Sequence, residues 1–305
     1  KRASTRAAIR CKLGVMAPRL LVALFALALT GCGDDTAADH QSTCSPADNR
    51  LLCGAPLLIA HRGGGALRPE ETLAAFENAA VLGADILELD VHSTSDGTIV
   101  CLHDATVDRT TNGTGPVHAL TLKEVKELDA GYDFTTDGGA TFPSRGQGVT
   151  VPTLAEVLDA HPQAWWSIEI KQSSPSIVDE VLEVLGAKGA ASRAVVVAFS
   201  DAIVQEVRQK RPDVLTGMGL GEMLALSSLT DESERDYQAP TRLVQPPASS
   251  VNAESVARAK RLGLRLHAWT VNDREEMERL LDLGTHGIMS DDPAKLGQVL
   301  SERGP

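Results

Sequence analysis

Ile59-Ala60-His61-Arg62-Gly63, followed by Ile86-Leu87-Glu88-Leu89-Asp90, is the stretch on which the reading of this chain turns. Both segments are apolar, strand-like runs that end in ionisable groups. Alternate residues of a strand share a face, so His61 lies on the side of Ile59. Glu88 lies with Asp90, opposite Leu87, Leu89 and Val91. Buried carboxylates are costly unless they are paired or bound to a metal. Two of them side by side at the end of a buried strand imply a cation site, and the histidine ending the preceding strand adds an acid/base group.

Two further runs have the same character. Trp165-Trp166-Ser167-Ile168-Glu169-Ile170-Lys171 puts Ser167, Glu169 and Lys171 on one face, and Thr98-Ile99-Val100-Cys101-Leu102-His103-Asp104 ends in a second histidine. Several strands therefore point polar groups out of one end, which is the layout of an active site at the C-terminal mouth of a parallel barrel.

Working outward, short apolar runs alternate with longer amphipathic ones. Strands are expected at 57–61, 86–91, 165–171, 194–199, 214–219, 242–246, 264–270 and 286–290, with helices at 72–82, 177–188, 201–210, 253–262, 273–283 and 293–301. Gly83, Gly189, Gly263 and Gly284 fall just past helices, where C-terminal caps belong. Pro293 sits where a first-turn proline is tolerated. The pattern is α/β and predicts a (β/α)8 TIM barrel. The stretch 104–151, rich in Thr, Gly and Asp with one short helix near 122–128, is expected to be an inserted loop or small subdomain after the second strand, partly covering the site. Residues 221–240 read as a second, mobile loop, and the charge run at 231–236 as a solvated surface.

The beginning of the chain reads as processing signal rather than fold. Arg19 precedes a short apolar run, 20–29, too short for a comfortable membrane span. It ends in Leu29-Thr30-Gly31-Cys32, which looks like a bacterial lipobox and implies cleavage before Cys32 and acylation of its sulfur. Met16 is a plausible start, since 16–32 alone make a complete signal. The expected organisation is a signal peptide over 1–32, a tether over 33–54 and a barrel domain over 55–305. Loss of 1–32 removes Lys1, Arg2, Arg6, Arg10, Lys12 and Arg19 and no acidic residue, moving the formal net charge from −12 to −18. So acidic a protein is poorly suited to nucleic acid or to anionic lipid through basic patches. Membrane attachment is expected through the N-terminal lipid anchor, in an exported cell-envelope lipoprotein facing the periplasm or the outer surface. Export makes a disulfide between Cys44 and Cys53 plausible, and Cys101 reads as a buried thiol. No protein partner is inferred.

The ordered motifs closely resemble the glycerophosphodiester phosphodiesterase family. They are His61-Arg62-Gly63, Pro69-Glu70-Glu71-Thr72, Glu88-Leu89-Asp90-Val91, Asp96-Gly97 before Val100-Cys101-Leu102-His103-Asp104, Glu169 in Ile-Glu-Ile-Lys, Ala268-Trp269-Thr270-Val271-Asn272 and Gly287-Ile288-Met289-Ser290-Asp291. The match runs from about 57 to 300. It implies hydrolysis of glycerophosphodiesters, a small-molecule substrate, to glycerol 3-phosphate and an alcohol. It also implies one divalent cation on Glu88, Asp90 and Glu169, and His61 and His103 as the acid/base pair. Arg62 and Lys171 would face the phosphate, Trp269 would wall the glycerol, and Glu70 would support them. The all-oxygen ligand set favours Ca2+ or Mg2+. Two departures stand out: Glu71 replaces a frequent asparagine, and Gly63-Gly64-Gly65 suggests a more flexible first loop. His92, taken to face away from Glu88 and Asp90, is assigned no catalytic part, nor are His118, His161, His267 and His286.

Three other readings compete. A glycosidase would use Glu88 with Glu169 but leaves both histidines and Arg62 without a task. A phospholipase D-like hydrolase of lipid head groups would use the same metal and histidines. A non-enzymatic surface lipoprotein on a retired barrel would not need the intact set.

Overall fold

The computed structural model describes residues 49–304. Nine strands and ten helices alternate among them. The strands are β1 (Leu57–Ala60), β2 (Ile86–Ser93), β3 (Ile99–Cys101), β4 (Trp166–Ile170), β5 (Ala194–Val197), β6 (Leu215–Thr216), β7 (Leu243–Val244), β8 (Arg265–Ala268) and β9 (Gly287–Ser290). The helices are α1 (Leu73–Val81), α2 (Leu122–Lys126), α3 (Leu154–Ala160), α4 (Val178–Ala187), α5 (Asp201–Lys210), α6 (Leu220–Ser227), α7 (Asp231–Glu234), α8 (Ala253–Arg261), α9 (Arg274–Leu283) and α10 (Pro293–Arg303).

Eight strands pair in parallel in the order β6-β5-β4-β2-β1-β9-β8-β7 and form a nearly closed barrel. The ladder has a seam between β6 and β7, where the Thr241 hydroxyl donates to the Thr216 carbonyl at 2.5 Å. Strand β3 stands outside this order and runs antiparallel to β2, pairing Val91 with Cys101 and Ser93 with Ile99. The fourth run of the sequence reading is therefore a hairpin arm, not a barrel stave. His103 still reaches the mouth because the hairpin folds back along β2, and Leu102 N–H donates to the Asp90 carbonyl at 3.0 Å.

The period-two pattern sorts side chains into two layers. Leu57, Ile59, Ile86, Val195, Leu243 and Met289 fill the barrel interior. Leu87, Leu89, Val91, Ile168 and Ile170 face outward, against Phe76 of α1, Leu154 and Val157 of α3 and Val178 and Val181 of α4. Trp166 is fully buried in that layer, its ring edge-on to Phe76 with centroids 5.8 Å apart.

Three features depart from the sequence reading, while the inserted stretch keeps to it as a small subdomain. Helix α3 went unread although Thr153 and Glu156 form a capping box at its start. That signature marks a helix N-terminus, but a helix of seven residues offers too few turns for a 3.6-residue period to show. The insertion has its own core, with Val107, Val117, Val125 and Ala130 packed on Val100, Leu102 and Val151. The expected mobile loop contains helices α6 and α7, and Glu234 of its charge run is mostly buried between Arg258 at 3.0 Å and Arg261 at 2.5 Å. Last, the fold reaches back into the expected tether, where Leu51 in a short 3-10 turn is fully buried among the interior side chains. Cys53 is disulfide-bonded. Cys44, Cys32 and the expected signal peptide lie outside the described residues. Cys101 is a buried free thiol, as expected.

His267 on β8 is completely buried, and neither ring nitrogen has a hydrogen-bond partner among the described residues. Burial holds it neutral and pushes its pKa down to about 3; burial likewise pushes His286 to about 4. The unfolded chain protonates these rings near 6.5 while the folded chain does not. Their contribution to stability is thus intact above 6.5 and is lost as pH falls toward the folded values. His267→Leu should flatten the fall in unfolding free energy between pH 6.5 and 4 by up to about 1.4 kcal/mol per pH unit. Urea titrations of both proteins across that range measure it, and parallel slopes would refute the assignment.

Candidate active site

The carboxylates come together because of strand register. Asp90 pairs with Glu169 and Glu88 with Ser167 across β2 and β4. One oxygen from each of Glu88, Asp90 and Glu169 lies within 4.8 Å of the others. Glu88 and Asp90 are buried. Burial, then the charge of Asp90, pushes Glu88 up to about 8 and raises Glu169. Like charges this close resist joint ionisation in a low dielectric. Asp90 Oδ2 is buried without a hydrogen-bond partner. Three hard oxygen donors, one of them orphaned, fit a divalent cation.

Two cationic side chains flank the cluster. Lys171 Nζ bridges Glu169 at 3.0 Å and Asp90 at 3.2 Å. The Arg62 backbone N–H donates to Glu88 at 2.8 Å, its Nη1 donates to Glu70 at 3.0 Å, and its Nε faces Asp90 Oδ2 at 3.4 Å. Arg62 takes a left-handed conformation, φ 51°, which costs a non-glycine residue on the order of 1 kcal/mol. The glycines that follow hold it there. A Cβ on Gly63 would meet Ala75 Cβ at 2.8 Å, and one on Gly64 would meet Pro293 at 2.9 Å. The triple glycine thus serves tight packing against α1 and α10, where the sequence reading expected flexibility.

The histidines are oriented by carboxylates. His61 Nδ1 lies 2.5 Å from Asp291, which also accepts from Asn272 Nδ2 at 2.6 Å. His103 Nδ1 lies 2.7 Å from Asp104. Burial lowers both rings, but for His61 the bond to Asp291 and the charge of Glu88 outweigh it and raise the pKa. For His103 burial prevails over the bond to Asp104 and the pKa is lowered.

Sequence reasoning missed several residues of this network. Arg109, from the insertion, binds Asp104 at 2.6 Å and Glu70 at 2.6 Å, so Glu70 holds two guanidiniums. Against burial, Arg109 and His103 hold Asp104 down to about 2. Glu71 is buried with φ 60°, and its carboxylate accepts from the Asp90 backbone N–H at 3.0 Å. The departure at Glu71 therefore bears on Asp90. Asp104, Asp291 and Glu71 each stand inside a motif quoted above without a role of their own, and that membership was the available signal. His92 also needs correcting. Residues 88, 90 and 92 share parity, so it does not turn away; it feels the Asp90 charge, and its Nε2 lies 3.2 Å from the His103 carbonyl.

A cavity of about 180 Å³ opens over these groups, lined by His61, Arg62, Glu88, His103, Glu169 and Lys171 on one side and by Val197, Phe199, Met218, Met223 and Trp269 on the other. Trp269 is fixed by its indole N–H, which donates to the Gln245 carbonyl at 2.7 Å. All eight pocket and metal-site residues read from the sequence are thus brought to one mouth, with Glu70 just behind Arg62.

Comparison with known proteins agrees with this geometry. Residues 61–295 match the model of the glycerophosphoryl diester phosphodiesterase family. A glycerophosphodiester phosphodiesterase of Caldanaerobacter subterraneus subsp. tengcongensis is 35% identical over 253 residues, covering 81% of this chain and 99% of that protein. The crystal structure of a glycerophosphodiester phosphodiesterase from Agrobacterium tumefaciens is 26% identical with a TM-score of 0.67, over 81% of this chain and 99% of the other. A phosphodiesterase of Oleispira antarctica, solved with the product sn-glycerol-3-phosphate, is 25% identical with a TM-score of 0.68, over 81% and 97% of the two chains. A buried carboxylate triad beside two carboxylate-oriented histidines, in a barrel that this family model spans almost from end to end, places the chain in the glycerophosphoryl diester phosphodiesterase family, and it is a glycerophosphodiester phosphodiesterase.

Proposed function

We propose that this enzyme hydrolyses glycerophosphodiesters to glycerol 3-phosphate and an alcohol in a reaction that depends on one Ca2+ or Mg2+. The observation that carries the reading is the triad of Glu88, Asp90 and Glu169 beside two histidines whose pKa values are pushed apart. Bound on the triad, the cation would neutralise the anionic phosphodiester and stabilise charge developing on its oxygens. Arg62 and Lys171 add positive charge beside the same oxygens. His61, raised by Asp291, favours the protonated state suited to the leaving alkoxide; His103, lowered by burial, favours the neutral state suited to taking a proton from the attacking oxygen. Trp269 supplies an apolar wall for the glycerol. The phospholipase D-like alternative uses the same machinery and differs in the size of the substrate admitted.

Removal of the metal tests this reading first. EDTA should abolish activity and Ca2+ or Mg2+ should restore it; full turnover in a sample shown metal-free by elemental analysis would overturn the proposal. Because the folded Glu88 holds its proton up to about 8 while the unfolded one releases it near 4.5, the contribution of Glu88 to the stability of the metal-free protein should fall as pH rises from 4.5 to 8. Added cation should therefore raise the melting temperature more at pH 8 than at pH 5.

His61→Ala and His103→Ala should each lower kcat by roughly 10²-fold or more, with circular dichroism and melting temperature unchanged. Two folded variants within a few-fold of wild type would remove the histidines from the mechanism.

We further propose that the chain is exported and anchored by acylation of Cys32. The support is the apolar run at 20–29 ending at Leu29-Thr30-Gly31-Cys32. Cys32→Ser should abolish labelling by radioactive palmitate and release the protein from the membrane fraction. Unchanged labelling would exclude Cys32 as the acylated residue.

A further inference from the structure

The cleft has two unlike walls, and the apolar one does not stop at the rim. Phe199 lines the cleft yet is 47% exposed at its edge, its ring edge-on to Trp269 with centroids 5.7 Å apart. Its carbonyl accepts from the Leu220 N–H at 2.9 Å, which joins the end of β5 to the first turn of α6. On α6, Leu220, Met223 and Leu224 stand three and four residues apart and share a face. Met223 lines the cleft, while Leu220 and Leu224 are 47% and 60% exposed.

These leucines are not poorly packed core. The opposite side of α6 is fixed by Glu222, which binds Arg208 at 2.6 and 2.9 Å, and by Asp201, which accepts from Gly221 N–H at 3.0 Å. A rigid helix therefore presents aliphatic surface to water in direct continuation of the substrate cleft. Single exposed leucines need no explanation, but a contiguous apolar surface leading out of a ligand cleft does.

We propose that the shelf formed by Phe199, Leu220, Met223 and Leu224 is a subsite for one aliphatic chain, so that the enzyme accepts glycerophosphodiesters still carrying a single fatty acyl group. The inference rests on the phosphodiesterase reading and names its substrate class. The reaction is unchanged in kind. Water oxygen forms a bond to phosphorus, the P–O bond to the head-group alcohol breaks, and a proton goes to the departing alkoxide. The products are a monoacylglycerol phosphate and the alcohol, and the acyl ester stays intact. The shelf is one helix face wide, which suits one chain, and the charged groups at the mouth lie at its inner end, where the phosphate belongs.

The test compares glycerophosphocholine and glycerophosphoglycerol, each with and without one lauroyl chain, below the critical micelle concentration and with saturating Ca2+ or Mg2+. Wild-type kcat/KM should be at least about ten-fold higher on the acylated member of a pair. The variant L220Q/L224Q alters exposed residues outside the cleft lining. It should leave kcat/KM on the deacylated substrates within about two-fold and erase most of the acyl preference. Equal or better wild-type turnover of the deacylated member, or an acyl preference unchanged in the variant, would overturn the subsite. A loss confined to substrate presented in phosphatidylcholine vesicles would also overturn it, marking the shelf as a lipid-surface contact instead. Release of alcohol from none of the four substrates would defeat the phosphodiesterase reading itself.

Discussion

Like-charge crowding at the mouth of the barrel governs the rest of this structure. Glu88, Asp90 and Glu169 are brought within 4.8 Å by the register of β2 on β4. That arrangement is unfavourable for three ionised carboxylates away from water. The surroundings are organised to offset it. Arg62 and Lys171 both lie against Asp90, the Arg62 N–H binds Glu88, and Glu71 fixes the backbone beneath Asp90. Arg62 and Glu71 both hold positive φ. Backbone strain of that kind concentrates where a site over-determines its geometry, and here both instances touch the carboxylate strand.

The charges also tie the insertion to the barrel. A continuous path runs from His103 through Asp104, Arg109, Glu70 and Arg62 to Asp90. Up to the buried Asp90, each link is partly exposed and would be weak as an isolated surface pair. Joined in a network of bidentate guanidinium contacts, they hold the second histidine relative to the carboxylates, although the two sit on opposite arms of a hairpin.

The barrel and its site were legible because they rest on period-two patterning and on ionisable residues at strand ends. All eight parallel strands fall where short apolar runs predicted them, and the residues from His61 to Trp269 meet at one mouth. What stayed illegible depends on long-range pairing or on signals masked by composition. Nothing local distinguishes β3 as an antiparallel arm, since direction is set by its partner. Helices α3, α6 and α7 are short, and stretches rich in Thr, Ser and Gly obscured their caps. Arg109 lies 39 residues from Glu70, and no spacing rule joins them. Strand parity alone puts His92 on the side of Glu88 and Asp90.

The β2–β3 hairpin carries Asp90 on one arm and His103 just beyond the other, with Val91 opposite Cys101 and a tight turn at Thr94–Thr98. Side chains alternate faces with every residue, so one residue gained or lost between Asp90 and His103 would turn the histidine to the wrong side or break the ladder. Beyond His103 the connection becomes a small subdomain with its own core, where length is free to change. Evolutionary tolerance of insertions and deletions should thus break sharply at this point in the chain: a rigid spacing of carboxylate to histidine, followed at once by a segment whose length can drift.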